Sequence, residues 1–281
     1  MRRFFIAFFA MVLVMFSCKG NKAAESDDEA VNDSVDSSLE DTAQVDTMEQ
    51  LIAETPMPKA ADELFDDFFF NFAANRKLQL VRIKFPLPVI DGKKTEYLQK
   101  KDWRMEHFFM RQGYYTLIFD NAKQMALVKD TSIDHVVVEK VLFEQKSVKQ
   151  YIFNRINGLW MLCSIQFKPL YKNSNASFLK FYQRFSRDSA FQIESLHDPV
   201  KFIGPDPDDD FSLIEGVITA DTWPAFASEL PSKMIYNIIY GQKYTESNHK
   251  IFVIRGISNG LEVEMTFECK DGKWLLTKLS T

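Results

Sequence analysis

The stretch Phe65-Asp66-Asp67-Phe68-Phe69-Phe70-Asn71-Phe72 returns 113 residues later as Phe178-Leu179-Lys180-Phe181-Tyr182-Gln183-Arg184-Phe185. Its shared aromatic residues stand at i, i+3, i+4 and i+7, a spacing that puts all four on one face of a helix. The correspondence continues without gaps. Leu78-Gln79-Leu80 answers Phe191-Gln192-Ile193, Pro86 answers Pro199, and Val89-Ile90 answers Phe202-Ile203. A core-facing pattern repeated at a fixed offset is read as one structural unit used twice. Asp62 is the expected N-cap of the first helix, and Ser174 or Asn175 that of the second.

The later parts correspond with small shifts in spacing. Trp103 pairs with Trp223, and Tyr115-Thr116-Leu117-Ile118-Phe119 pairs with Tyr236-Asn237-Ile238-Ile239-Tyr240. Near each end a turn dipeptide precedes a Trp: Asn157-Gly158-Leu159-Trp160 and Asp271-Gly272-Lys273-Trp274. Asn-Gly and Asp-Gly accept the positive φ of a two-residue hairpin turn. A further turn is expected around Glu144 to Ser147 in the first copy and at Asn259-Gly260 in the second. Flanking runs such as Val136-Val137-Val138 and Ile251-Phe252-Val253-Ile254 are β-branched and aromatic. Each copy reads as a helix, an irregular stretch carrying a Trp, and a meander of about four antiparallel strands. That order gives an α+β fold with the helix packed on one sheet face. The predicted units are 61–172 and 173–281. The density of Phe on each helix face predicts that the helix–sheet cavity is filled by its own core.

Ahead of these units, Met1-Arg2-Arg3 precedes an uncharged run from Phe4 to Phe16, then Ser17-Cys18. A basic start, a short apolar run and a small residue before the cleavage point form a secretory signal. The run is shorter than the roughly 20 residues needed to span a bilayer. Met15-Phe16-Ser17-Cys18 reads as a lipobox, with residues 1–17 removed and Cys18 lipidated. Residues 18–60 read as a disordered acidic linker: Lys19 to Pro58 carries eleven acids against two lysines, too polar to offset its conformational entropy. The chain's net charge is −5, so the folded body is close to neutral and lacks the clustered Lys and Arg that nucleic acid requires. Cys163 and Cys269 remain, either paired or free.

Few residues suggest chemistry. Four His, no Cys-x-x-Cys and no nucleophile or phosphate-binding motif argue against a cofactor, a zinc site or a hydrolase. Asp102 beside Trp103, Asp221 near Trp223, and Tyr114, Tyr115, Tyr236 and Tyr240 are the acid–base candidates. Each is read first as a cap or a packing residue. Gln79 and Gln192 hold equivalent places, which favours a structural task where helix meets sheet; with Trp103 and Trp223 they are also the candidate lining of a ligand groove. Asp206, Asp208 and Asp210 form a weak Ca²⁺ candidate in an otherwise ordinary acidic loop.

A long helix in the concave face of a curved antiparallel sheet is similar to the NTF2-like and cystatin-like superfold. The repeated Phe-x-x-Phe-Phe/Tyr-x-x-Phe pattern with its following Gln, the tandem layout and the lipobox resemble a Bacteroidetes lipoprotein family known only as a domain of unknown function. The resemblance covers about Asp62 to Thr281 and the signal. It implies a tandem NTF2-like α+β fold held at the outer membrane, facing the periplasm or the cell surface. An acidic stretch after the lipidated Cys, here Glu25-Ser26-Asp27-Asp28-Glu29, can direct such proteins to the surface. It brings no substrate. The leading expectation is a non-enzymatic module binding a protein, glycan or small molecule. A small-molecule enzyme or carrier using an NTF2-like pocket, and a scaffold of an envelope complex, are the rivals.

Overall fold

The computed structural model describes residues 62–227, 229–244 and 247–281. The expected signal, the expected tether at Cys18 and the expected linker lie outside the described residues, and no described helix is long and apolar enough to cross a membrane.

The Phe-rich stretch forms helix α1, Phe65–Ala74, which buries Phe65, Phe68, Phe69 and Phe72 as its spacing demands. The chain breaks at Asn75, whose Oδ1 accepts the Leu78 N–H and so caps a second helix, α2, Arg76–Arg82. The other half repeats this. Helix α4, Ala176–Phe185, buries Phe178, Leu179, Tyr182 and Phe185, and Asp188 caps α5, Ser189–Glu194. The expected caps of the long helices are corrected. Helix α1 starts at Phe65, so Leu64 occupies the cap position and Asp62 lies too far back to reach the first turn. Its carboxylate pairs with Arg82 at 2.7 Å and accepts the Trp160 N–H. Asn175 does sit at the cap of α4, but its Oδ1 accepts from Lys250 Nζ instead.

The described residues form twelve strands: β1 Leu87–Asp91, β2 Lys94–Leu98, β3 Tyr114–Phe119, β4 His135–Leu142, β5 Ser147–Ile156, β6 Leu159–Pro169, β7 Leu196–Asp206, β8 Asp209–Ile218, β9 Met234–Ile239, β10 His249–Gly256, β11 Glu262–Lys270 and β12 Lys273–Ser280. A short helix, α3, Ala122–Met125, connects β3 to β4. The hairpin turns at Asn157-Gly158 and Asp271-Gly272 carry positive φ at both residues, as those dipeptides predict. Two hairpins were not legible. β1–β2 and β7–β8 occupy the stretches expected to be irregular: β2 and β8 are the edge strands, β1 is a five-residue run without alternation, and exposed residues follow one another along β2 and β7.

The expected meander is corrected as well. All the strands join one sheet in the order β2-β1-β6-β5-β4-β9-β3-β10-β11-β12-β7-β8. β4–β5–β6 and β10–β11–β12 are antiparallel meanders, but β3 does not lie beside β4. It pairs with β10, while β9 pairs with β4, and β3 and β9 run parallel to each other with Thr116 opposite Asn237. Each half therefore lends its third strand to the other.

Alternation along these central strands assigns the two faces. Leu117 packs with the α1 aromatics and Ile118 with those of α4; Tyr236 and Ile238 join the first core and Ile235 the second. The two helices thus cover opposite faces of the sheet, and the middle strands are buried on both sides. On the α1 face Phe65 meets Trp160 edge-on at 5.1 Å, and Phe68, Phe69 and Phe72 each contact Phe153. On the α4 face Phe178 and Phe185 close on Phe267, and Tyr182 on Phe252. Both helix–sheet cavities are packed with rings, each contributing about 1.5–3 kcal/mol by burial.

On the α4 face the sheet centre carries a buried polar network. Glu139, 1% exposed, accepts from Gln150 (2.7 Å), Asn173 (2.8 Å) and Asn237 (3.3 Å). Lys250 pairs with Asp120, donates to Asn175 and lies over the Tyr244 ring. The link between the halves, through Asn173 and Asn175, is thereby pinned to strands of both. The matched positions on the α1 face, Val253 and Val136, are apolar.

Because the strands are exchanged, the halves should unfold together. Phe72→Ala and Phe185→Ala, in opposite cores, are expected to lower a single calorimetric transition, each by about 3–5 kcal/mol. Two transitions, each moved by one variant alone, would refute this. Burial pushes the Glu139 carboxyl up, and its three amide donors offset only part of that. A carboxyl raised in the folded state stabilises fully below the ordinary carboxylate range, and that contribution is lost as pH rises through the raised value. Glu139→Gln is accommodated by turning Asn237, whose Oδ1 has no partner. The stability difference between variant and wild type, read from urea melts, should grow in favour of the variant from pH 4 upward. A flat difference would contradict the assignment.

Candidate functional site

Between β2 and β3 the chain makes a 3₁₀ turn, Lys100–Asp102, and then runs inward through Trp103 to Glu106. Gln79, wholly buried on α2, holds this segment. Its Oε1 accepts the Trp103 indole N–H (3.0 Å) and the Glu106 N–H (3.1 Å), and its Nε2 donates to the carbonyls of Phe72 (2.9 Å) and Glu106 (2.8 Å). In the other half Gln192 donates to the Phe185 carbonyl and accepts the Trp223 indole N–H. The four residues expected to line a groove are buried, and the structure places Gln79 with Trp103 and Gln192 with Trp223 in different cores, not around one groove.

What Gln79 positions is Glu106. The Tyr151 phenol donates to Glu106 Oε2 at 2.5 Å, and Lys149 Nζ stands 3.6 Å from the same oxygen. Lys149 and Tyr151 are two apart on β5, so both side chains project to the α1 face. The ammonium also lies 4.6 Å from the Tyr151 ring centre and 5.8 Å from that of Phe167. This cluster borders a pocket of about 340 Å³ whose walls include Val89, Leu98, Trp103, Ile165 and Phe167. Burial pushes the Lys149 amine down, while Glu106 partly restores it. Burial first, and then the Glu106 charge, push the Tyr151 phenol up, so the proton stays on Tyr151. The arrangement offers an ammonium at the mouth of an apolar pocket, backed by a carboxylate that a phenol holds in place.

None of these three residues stood out in the sequence. The signal that finds them is a departure from the repeat. Aligned on the Asn157-Gly158 and Asp271-Gly272 turns, Lys149 and Tyr151 match Val263 and Met265, while Phe153 matches Phe267; aligned on the tryptophans, Glu106 matches Phe226. The polar cluster exists once, on a scaffold whose surrounding pattern exists twice.

Of the acid–base candidates named from the sequence, Asp102 lines this pocket and the others do not. Asp102 is exposed on its turn, and Asp221, exposed, accepts from the Thr219 hydroxyl, which together with the Thr222 N–H and its own backbone N–H holds its carboxyl below the usual range. Tyr240 donates to Asp66 on α1, and burial raises Tyr115 to about 12 beside Asp66 and Arg255. Tyr236 is buried and Tyr114 half-buried on opposite faces. Asp206 accepts the Asp208 N–H within the β7–β8 turn, the Asp210 side chain lies outside the described set, and no group of three metal-ligating residues occurs among the described residues. Cys163 and Cys269 are free.

Gln79→Leu keeps the volume but strips partners from Trp103, from Phe72 and from both Glu106 backbone groups. It should cost about 3 kcal/mol and exceed the cost of Gln192→Leu, which strips fewer. Chemical denaturation of the two variants gives the comparison, and equal costs would contradict the extra role of Gln79.

A crystal structure of an NTF2-like protein from Bacteroides fragilis is similar to this chain, with 41% identity and a TM-score of 0.74, across 80% of this chain and 98% of that one. No curated protein matches the sequence. Residues 44–281 match the family model described as "Domain of unknown function (DUF4348)". With its mixed α+β architecture, its large sheet and that crystallographic neighbour, the chain belongs to this NTF2-like family of Bacteroidetes.

Proposed function

We propose that the protein is a ligand-binding module of the cell envelope, built from a duplicated NTF2-like unit and carried on a lipidated Cys18 at the outer membrane. Lipidation and export rest on Met15-Phe16-Ser17-Cys18 and the basic, apolar leader before it. The duplication rests on matched residues doing matched work: the Gln79–Trp103 and Gln192–Trp223 hydrogen bonds, and the reciprocal loan of β3 and β9.

The observation that carries the binding function is the unduplicated trio Glu106, Lys149 and Tyr151 at the pocket beside Trp103. What sets this trio apart from the other polar clusters found in one half is its place: Glu106 and Lys149 line a cavity with apolar walls, where a ligand would meet them. The chemistry favours a small ligand with an anionic group for Lys149 and an apolar body for Val89, Ile165 and Phe167. An enzymatic reading draws on one feature, the Lys149 amine pushed down by burial, which suits it to attack a carbonyl.

Thermal-shift screening of small carboxylates, sugar acids and acyl anions against wild type and Lys149→Met tests the proposal. Hits should stabilise the wild type and lose about tenfold in affinity in the variant, the worth of one partly buried charge contact. Hits indifferent to Lys149 would overturn the site, and conversion of a hit to product would replace binding by catalysis.

A further inference from the structure

The two halves differ again at the outer end of their long helices. In the first half Asp62, Arg82 and Trp160 form a lock. Arg82 pairs with Asp62, donates to the Trp160 carbonyl at 3.2 Å and covers the Phe68 ring at 5.5 Å, leaving Phe68 wholly buried. A shift of 113 carries Asp62 to Asn175, Arg82 to Ser195 and Phe68 to Phe181, and the turn alignment carries Trp160 to Trp274. Asn175 is committed to Lys250, and Ser195 is too short to reach across. Phe181 is accordingly only half-buried, and among the described residues no cation lies over its ring.

Ser195, at the position matched to Arg82, lines a cleft of about 700 Å³ between α4, α5 and the β11–β12 turn. Phe181, Phe191 and Trp274 line it, and Lys180, Arg184 and Lys273 stand around it against a single acid, Glu194. Arg184 is stacked on Phe191 at 4.0 Å and pairs with Asp188, so it stiffens the wall, while the two lysines are exposed. The Trp274 indole N–H is turned to the Ser177 hydroxyl at 3.3 Å. Aromatic walls favour a flat ring, and the cationic surround selects an anion.

We infer that this cleft is a second binding site, for a small aromatic carboxylate, opened by the change from Arg82 in one half to Ser195 in the other. It is independent of the pocket at Lys149. The test uses the full-length chain and 2-naphthoate as probe, with uncharged 2-naphthamide beside it, read by calorimetry and by amide shifts in NMR. Naphthoate should bind, shifting amides of Phe181 to Arg184 and Gly272 to Leu275, and should bind more tightly than the amide. Ser195→Arg, which rebuilds the missing guanidinium, should weaken binding about tenfold or more, and Lys149→Met should leave it unchanged. Lys273→Glu, an exposed charge reversal, gives the same direction should Ser195→Arg fail to fold. No binding at millimolar probe, binding indifferent to both cleft variants, or binding abolished by Lys149→Met would each overturn the assignment.

Discussion

Strands β3 and β9 lie side by side and parallel, with the Thr116 hydroxyl donating to the Tyr236 carbonyl between them. The strand order reads in reverse through the equivalent strands on either side of this pair, and with the pair parallel the halves are related by a half-turn about the strand direction, which exchanges the faces of the sheet. The helix of one half must then cover the face opposite to the helix of the other. The central strands consequently face two cores, which is why β3, β9 and β10 are nearly continuous apolar runs without alternation. The edges of the sheet fall to β2 and β8. Exchange, opposite faces and a doubly buried centre are one constraint seen three ways.

Under that constraint the two halves have divided their work. The rings on α1 and α4 and the Gln–Trp hydrogen bonds occur twice and hold the fold. Polar groups occur once and on one side: Glu106, Lys149 and Tyr151 on the α1 face, Glu139 and Lys250 on the α4 face. Closure is also uneven, since the Asp62–Arg82–Trp160 lock seals one helix end and nothing among the described residues takes Arg82's part at the other. Where two halves share a pattern of core positions, a position that is polar in one can be apolar at its match in the other, as Lys149 and Val263 are.

The limits of sequence reading follow from the same geometry. Helix faces were legible because four aromatics at helical spacing leave one solution. The Asn-Gly and Asp-Gly turns were legible because few residues tolerate positive φ twice in succession. β2 was not, since an exposed edge strand has no buried face to mark, and β1 beside it was not, since Leu87-Pro88-Val89-Ile90-Asp91 does not alternate. Glu106, Lys149 and Tyr151 were not, since Glu106 lies some 45 residues from the β5 pair and each residue alone is ordinary.

The amino-acid sequence by itself determined the repeat, the ring-filled cores, the α+β composition and the tight turns, all of which depend on neighbours within about eight positions or on a constant offset. Only the tertiary structure decided which half each third strand joins, which face each helix covers, and which polar residues meet. Strand pairing partners are chosen by the closing of the whole sheet, and β3 has the same apolar pattern whether it lies beside β4 or β10.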